Sequence, residues 1–216
     1  MAEVGALAPG GGLLLASALA DGAASVTAID LAPLDHAGWD ALLQRLLAGG
    51  AARQRIRLQM AGLTDSYFPE QVGTFDLVSC RGLLHRLPDP FTALLHLRLV
   101  TRLRCEVAVP VLPPMFANAA GRQELINCGA IFVPTLIAST KAVLAEHLAA
   151  LGPAAASLLS ADAAPWVAGA ELNLGQPWWL MTAAHVESLA VLAGFSVASS
   201  GLESDGITHR MLLDVP

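Results

Sequence analysis

The sequence predicts an α/β fold with a doubly wound, mostly parallel seven-stranded sheet, an antiparallel edge strand and a helical insertion. Short β-branched or apolar runs alternate with helical runs through the first half, which is typical of βαβ units. A glycine-rich turn joins the first strand to the first helix, and a short polar turn joins the last two strands. We interpret the 216 residues as a single domain, with residues 112–176 as an insertion or cap over the sheet.

The first half of the chain contains five predicted strands and three predicted helices. The strands cover Val4–Ala8, Ser25–Asp30, Ile56–Met60, Phe75–Cys80 and Cys105–Val111. The helices cover Leu13–Ala20, Trp39–Leu47 and Pro90–Val100. In the second helix, apolar residues recur at three- and four-residue steps until Gly49 and Gly50 end the pattern. Parallel strands connected by helices follow from this alternation.

The second half has a different composition. Residues 112–176 are rich in Ala, Pro and Gly, with weak helical patterning around Ser139–Leu151. A clear helix is predicted over Thr182–Ala193, with its first residue as the N-cap. Strands over Phe195–Ser199 and His209–Val215 follow, and their short connection favours an antiparallel pair at the sheet edge.

Composition excludes several classes of protein. Hydrophobic residues make up 55% of the chain and charged residues 14%, which excludes intrinsic disorder. The net charge of −6 and the lack of a basic cluster argue against a dedicated nucleic-acid module, though not against an enzyme that visits RNA. The three cysteines form no CxxC or Cys/His spacing, so neither a metal site nor a disulfide framework is expected. We predict a cytoplasmic protein with no membrane span.

The turn after the first strand is the most informative feature for function. Pro9–Gly12 separates a strand from a helix, and such a glycine-rich turn lets a ligand approach backbone N–H groups. Asp30 ends the second strand, where a carboxylate can accept hydrogen bonds from ribose hydroxyls. Together these features indicate a nucleotide-like site at the carboxyl ends of the first strands.

Four segments also carry a resemblance to a known family. They are VGALAPGGG (Val4–Gly12), SVTAIDLAP (Ser25–Pro33), GTFDLVSCRGLLHRLPDP (Gly73–Pro90) and PWWLMTAAHVESLAVLAGFSV (Pro177–Val197). The sequence resembles the class I S-adenosylmethionine (SAM)-dependent methyltransferases over nearly the whole chain. The tract from Phe75 to Pro110, which ends in LRLVTRLRCEVAVP, and the PWW segment after it are similar to the subgroup that contains the bacterial tRNA wobble-uridine carboxymethyl-transfer enzymes.

The resemblance implies a Rossmann-like methyltransferase fold, SAM as cofactor and a set of site residues. The implied cofactor-binding residues are Ala8, Gly10, Gly12, Asp30, Leu31, Asp65 and Arg81. His85 is the candidate acid or base, or else a satisfied residue at a loop–helix junction. Arg86 is assigned to the substrate, since it and Arg81 suit an anionic group, and Trp178 and Trp179 either wall the substrate pocket or pack in the core.

The first motif departs from the family pattern. An ungapped alignment puts Ala6 where the family has an acid and Ala8 where it has its first glycine. A gapped alignment uses Glu3 and Gly5 instead. The ungapped version is favoured here because it keeps the spacing to the helix and to Asp30. With the acid missing, cofactor affinity is in question.

Two functions remain open from the sequence. The first is SAM-dependent methyl transfer to a small molecule or an RNA base, which predicts an open pocket lined by Gly10, Asp30 and Arg81. The alternative is a catalytically inactive methyltransferase-fold subunit that acts in binding or as a scaffold. Because the family usually has a helical segment before the first strand, we expect a homodimer or a partner subunit to supply a lid. A nicotinamide-dependent enzyme is disfavoured, since the GxGxxG fingerprint is absent.

Overall fold

The computed structural model describes residues 1–8, 11–126, 129–159 and 177–216. The predicted cofactor residue Gly10 lies outside the described residues, as do residues 160–176 of the predicted insertion. None of the described helices is both long enough and apolar enough to cross a membrane.

Eleven strands and seven α-helices are described. The strands are β1 (Ala2–Val4), β2 (Val26–Asp30), β3 (Ile56–Met60), β4 (Phe75–Arg81), β5 (Thr101–Leu112), β6 (Met115–Asn118), β7 (Gly121–Glu124), β8 (Ala130–Phe132), β9 (Trp179–Thr182), β10 (Ser196–Leu202) and β11 (Thr208–Asp214). The helices are α1 (Leu13–Ala20), α2 (Ala37–Ala48), α3 (Phe68–Val72), α4 (Pro90–Val100), α5 (Ala138–Leu151), α6 (Pro153–Ala156) and α7 (Ala183–Leu192). Single 3₁₀ turns lie between them, including Leu84–Arg86 after β4.

The central sheet has the order β3-β2-β1-β4-β5-β11-β10. Strands β1 to β5 run parallel to one another, and β11 runs antiparallel to both of its neighbours. The predicted fold class is therefore confirmed. The sheet is larger than expected, because β9 pairs with the end of β5 and β8 pairs with β9, giving nine strands.

Helices cover both faces of this sheet. Helices α1 and α2 pack Leu15, Trp39 and Leu42 against β2 residues that include Ala28. Helices α3, α4 and α7 contribute to a second cluster that contains Ile29. Adjacent residues of a strand point to opposite faces, so Ala28 and Ile29 place the two clusters on opposite sides of the sheet. A third cluster lies under α5 and α6.

The first strand lies earlier than predicted. It covers Ala2–Val4 rather than Val4–Ala8, and it pairs with β2 and β4 on its two sides. Gly5 leaves the strand with a φ of +80°, and its N–H donates to the Ile29 carbonyl at 2.9 Å. The apolar run that suggested a strand is thus the first part of a turn.

The other elements of the Rossmann-like half lie close to their predicted positions. Helix α1 and strand β3 have the predicted bounds, and Thr182 caps α7 by accepting from the N–H of His185. The described part of the insertion contains α5 where the weak helical pattern lies, together with the β6–β7 hairpin and β8. These short strands, and β9 at the tryptophan pair, were not predicted.

Candidate functional site

A cavity of about 630 Å³ lies at the carboxyl ends of β1, β2, β4 and β5. Strand order reverses there, because the chain proceeds from β1 to β2 and β3 on one side and then to β4 and β5 on the other. Ligands of open α/β sheets bind at such a switch point. The cavity also receives Ala154 and Leu158 from the insertion and Glu203 from the β10–β11 turn.

A second cavity, of about 810 Å³, lies between the end of β5, α5 and α7. Among the described residues that line it, the only ionisable side chains are His147 and His185. The smaller cavity has two arginines, two carboxylates and two histidines on its described walls. We therefore assign the candidate site to the smaller cavity, where charged groups converge at the sheet's switch point.

Glu3 holds the glycine-rich turn in place. One oxygen of its carboxylate accepts from the N–H of Gly12 at 3.0 Å, while its other oxygen is buried without a described partner. Burial is the main cause that raises the pKa of Glu3, and the hydrogen bond from Gly12 opposes it. Arg45 braces the same turn by donating to the Gly11 carbonyl at 2.6 Å. The acid of the first strand is thus Glu3, followed by Gly5.

This arrangement corrects the alignment of the first motif. The ungapped version, with Ala6 and Ala8 as the key positions, places the motif acid beyond the end of the strand. The gapped version puts Glu3 on β1 and Gly5 directly after it, with a longer turn before α1. Pro9 and Gly10 are outside the described residues. Of the two spacings that the sequence offers, the position of β1 favours the gapped one.

Asp30 lies at the end of β2 and lines the cavity. Its two carboxylate oxygens accept from the N–H groups of Leu7, at 2.9 Å, and Ala32, at 3.2 Å. These bonds tie the turn after β1 to the end of β2. Each carboxylate oxygen has two lone pairs, so the same oxygens can still accept from a hydroxyl group in the cavity.

Arg81 is fully engaged at the end of β4. Its guanidinium donates to Glu106 at 2.8 Å and to both carboxylate oxygens of Glu203, at 2.6 and 2.9 Å. Burial opposes the charged form, but the two carboxylates outweigh it, and the pKa of Arg81 is raised. Glu106 also accepts from Arg210. Arg81 thus lines the cavity as part of an ion-pair network.

His85 and Arg86 form the wall after β4. His85 is 2% exposed, and neither ring nitrogen has a hydrogen-bond partner in the described part of the chain. Burial, with a smaller contribution from the charge of Arg86, lowers the pKa of His85 to about 3. The imidazole is therefore neutral at physiological pH. Arg86 is half-buried beside it and also lines the cavity.

The predicted site residues divide into two groups. The described residues on the cavity wall are Ala8, Asp30, Arg81, His85 and Arg86. The wall does not include Gly12, Leu31, Asp65, Trp178 or Trp179. Their assignment to cofactor or substrate stays a prediction. Gly82, His36 and Thr208 also line the cavity, and no sequence motif marks the last two.

The residues outside the wall have structural contacts of their own. A Cβ on Gly12 would lie 2.2 Å from Leu42 Cδ1, so a side chain here would force Leu42 of α2 to shift. Asp65 accepts from the N–H of Gly62 in the turn after β3. Leu31 is 46% exposed. The tryptophan pair packs against Phe132, with ring centroids 5.9 and 4.8 Å away.

Solved structures of methyltransferases are similar to this chain over nearly its whole length. No protein-family model matches the sequence, and no curated protein matches it. The magnesium protoporphyrin IX methyltransferase of Synechocystis PCC 6803, solved with bound SAH (S-adenosylhomocysteine), is 14% identical, with a TM-score of 0.55 over 100% of this chain and 73% of that one. A SAM-dependent methyltransferase from Mesorhizobium loti is 13% identical, with a TM-score of 0.59 over 99% and 89%.

The chain has the fold of the class I SAM-dependent methyltransferases. An O-methyltransferase family protein from Burkholderia thailandensis adds to this, at 13% identity and a TM-score of 0.57. This chain covers 99% of its own length there but only 50% of that protein. The candidate cavity lies at the switch point of this methyltransferase fold.

Proposed function

We propose that this chain binds SAM in the cavity of about 630 Å³ and transfers its methyl group to a small molecule or an RNA base. The observation that carries the proposal is the pair of carboxylates at the switch point. Glu3 holds the glycine-rich turn, and Asp30 faces the cavity from the end of β2. An acid at the end of the second strand suits the ribose hydroxyls of a nucleoside.

The cavity residues fit such a cofactor. Gly82 lines the cavity in a left-handed conformation, with φ +65°, and a Cβ built on it would meet nothing within 4 Å. The wall is therefore open beside the end of β4. Asp30 would hold the ribose, and the turn through Gly5 and Ala8 would contact the amino-acid end. When bound, SAM supplies an electrophilic methyl group.

The chain's own residues would bind and orient the acceptor. Ala154 and Leu158 of the insertion line part of the cavity. His85 is a neutral hydrogen-bond acceptor. Removing a proton from a phenol of pKa about 10 with this group would cost roughly 9 kcal/mol. We therefore propose that His85 orients the nucleophile by accepting its hydrogen bond, with proximity supplying most of the rate.

The acceptor is the open part of the proposal. The resemblance of Gly73–Pro90 to the wobble-uridine subgroup supports an RNA base. The size of the cavity, about 630 Å³, and the insertion residues on its wall support a small molecule. Binding of the methyl donor is common to both and is therefore tested first.

The test is calorimetric titration of the full chain with SAM and with SAH. We expect a Kd in the micromolar range, about −8 kcal/mol. Asp30→Asn should weaken binding about tenfold, because charged hydrogen bonds to the ribose are lost. Asp35→Asn is the matched control, since Asp35 is exposed nearby and does not line the cavity. It should bind like the wild type.

Two outcomes would contradict the proposal. Equal binding by the two variants would remove Asp30 from the cofactor site, provided that thermal unfolding shows both to be folded. An absence of heat with millimolar SAM and SAH would exclude methyl transfer by this chain alone. The alternative would then be a catalytically inactive binding or scaffold subunit, whose partner or second copy supplies a lid.

A further inference from the structure

Arg86 is a cationic side chain on the cavity wall with no counter-ion among the described residues. It ends the 3₁₀ turn after β4 and is half-buried, and its guanidinium makes no hydrogen bond or ion pair within the described part of the chain. Burial alone lowers the pKa of its guanidinium, with no opposite charge to offset it. A partly desolvated charge without a partner is costly, and structures keep such groups chiefly where a ligand completes them.

The other charges of the cavity are already compensated. Arg81 is bound by Glu106 and Glu203, and the carboxylate of Asp30 accepts two backbone N–H groups. Among the described residues of the wall, Arg86 is therefore the positive charge left over. The described wall of the cavity thus presents one unpaired guanidinium to a ligand.

The neighbouring His85 strengthens this interpretation. It is almost completely buried, and both of its ring nitrogens lack partners among the described residues. The charge of Arg86 contributes to lowering the pKa of His85, so the guanidinium lies close enough to act on the ring. A ligand beside Arg86 would therefore meet one cation and one neutral hydrogen-bonding group.

We propose that Arg86 binds a carboxylate group in this cavity, supplied either by a small-molecule acceptor or by the methyl donor. The inference rests on the proposed function, because it concerns the ligands of the same site. A single guanidinium matches a monoanion in charge, and its fork binds the two oxygens of a carboxylate. A polyanion such as RNA needs several cations, whereas this chain has a net charge of −6. The carboxylate can come from the acceptor or from the amino-acid end of the methyl donor.

The experiment uses matched probes that differ in the carboxylate. For the acceptor, 4-hydroxybenzoate is compared with 4-hydroxybenzamide, with and without SAH. For the donor, SAH is compared with 5′-methylthioadenosine, which lacks the amino-acid carboxylate. Calorimetry measures each Kd for the wild type, Arg86→Gln and Arg86→Lys. Arg57→Gln is the control, since Arg57 is exposed on β3 and away from the cavity wall.

Either source predicts a distinct pattern. If the acceptor supplies the carboxylate, the wild type binds 4-hydroxybenzoate about tenfold more tightly than the amide, and Arg86→Gln abolishes this preference. If the donor supplies it, Arg86→Gln weakens SAH about tenfold and leaves 5′-methylthioadenosine unchanged. In both cases Arg57→Gln behaves like the wild type, and Arg86→Lys keeps part of the preference because it keeps the charge.

The inference is overturned if Arg86→Gln changes neither preference while its thermal unfolding matches the wild type. It is also overturned if Arg86 is needed for an RNA stem-loop but not for 4-hydroxybenzoate or SAH. If SAH fails to bind the wild type, the proposed function fails. The preference for 4-hydroxybenzoate over its amide, measured without SAH, still decides the role of Arg86. If Arg86→Gln does not fold, Arg86→Lys is used instead. Undiminished preferences of Arg86→Lys for both carboxylate probes would then show that the guanidinium fork does not bind the carboxylate.

Discussion

The two walls of the cavity use their polar groups in opposite ways. On the side of β1 and β2, carboxylates bind the chain itself: Asp30, on the wall, accepts from Leu7 and Ala32, and Glu3, which does not line the cavity, accepts from Gly12. On the wall after β4, the side chains of His85 and Arg86 have no partners in the described part of the chain. The polar groups on the first side are hydrogen-bonded to the chain itself, whereas those of the second wall are left to bind a ligand in the cavity.

The second wall is nevertheless held firmly. The backbone N–H of Trp178 donates to the carbonyl of His85 at 2.8 Å, and Nε1 of Trp179 donates to the carbonyl of Pro88 at 3.0 Å. The backbone of this wall is thus held at two points, and the side chain of His85 is almost completely buried. A site preorganised in this way loses little conformational freedom when a ligand binds.

The largest expected effect comes from substituting Gly12, which precedes α1 and is bound by Glu3 beside the first wall. In Gly12→Ala, the left-handed backbone at φ +82° and the contact with Leu42 at 2.2 Å should together cost roughly 3 kcal/mol. Gly22→Ala is the control, because φ is +93° there but nothing lies within 4 Å of the added Cβ. It should cost about 1 kcal/mol. Urea unfolding measures both, and equal losses would show that packing against α2 is not what requires Gly12.

The sequence predicted those parts of the fold that depend on local pattern. Helix α1 and strand β3 are set by runs of apolar and β-branched residues, and their bounds were found. Strand β1 was misplaced because it has only three residues, so no alternation marks it, whereas the apolar residues of the next turn imitate a strand. The β6–β7 hairpin was missed because its few residues pair only with each other.

The sequence was enough to predict several residues of the site, but not the hydrogen bonds and ion pairs that they form. Asp30 and Arg81 reach the cavity from strand ends that the pattern located. Their partners are distant in sequence: Arg81 meets Glu203, 122 residues later, and no local pattern encodes that pairing. The sequence allowed the tryptophan pair either to wall the substrate pocket or to pack in the core. In the structure the pair packs against Phe132 and does not line the cavity.

The next effect tests the second wall through pH. The pKa of His85 is about 3 in the folded chain and near 6.5 when unfolded, so below pH 6.5 the unfolded chain binds a proton that the native chain does not. The contribution of neutral His85 to the free energy of unfolding is fully present above pH 6.5 and is lost as the pH falls toward 3. From pH 7 to pH 5 the loss should be about 2 kcal/mol.

His85→Gln should lack this part of the pH dependence. The free energy of unfolding of the wild type and the variant, measured by urea titration at pH 7 and pH 5, isolates it because all other ionisable groups are shared. Parallel losses in the two proteins would mean that His85 is protonated in the native state. The second wall would then carry two positive charges instead of one.

The smallest expected effect on stability comes from weakening the ion pair between Arg81 and Glu203. Glu203→Gln removes one carboxylate from Arg81, and because this ion pair is partly exposed the cost should stay below about 1 kcal/mol. Arg81 would keep Glu106 but gain unsatisfied donors facing the cavity, beside Arg86. Binding of 4-hydroxybenzoate should therefore tighten severalfold, while binding of 4-hydroxybenzamide should not.

Glu187→Gln, which alters an ion pair with His209 away from the cavity wall, is the control. If Glu203→Gln leaves the carboxylate affinity unchanged, the charge of the cavity is not set by the pairing of Arg81. The contrast between a compensated arginine and a free one would then not explain what the site binds.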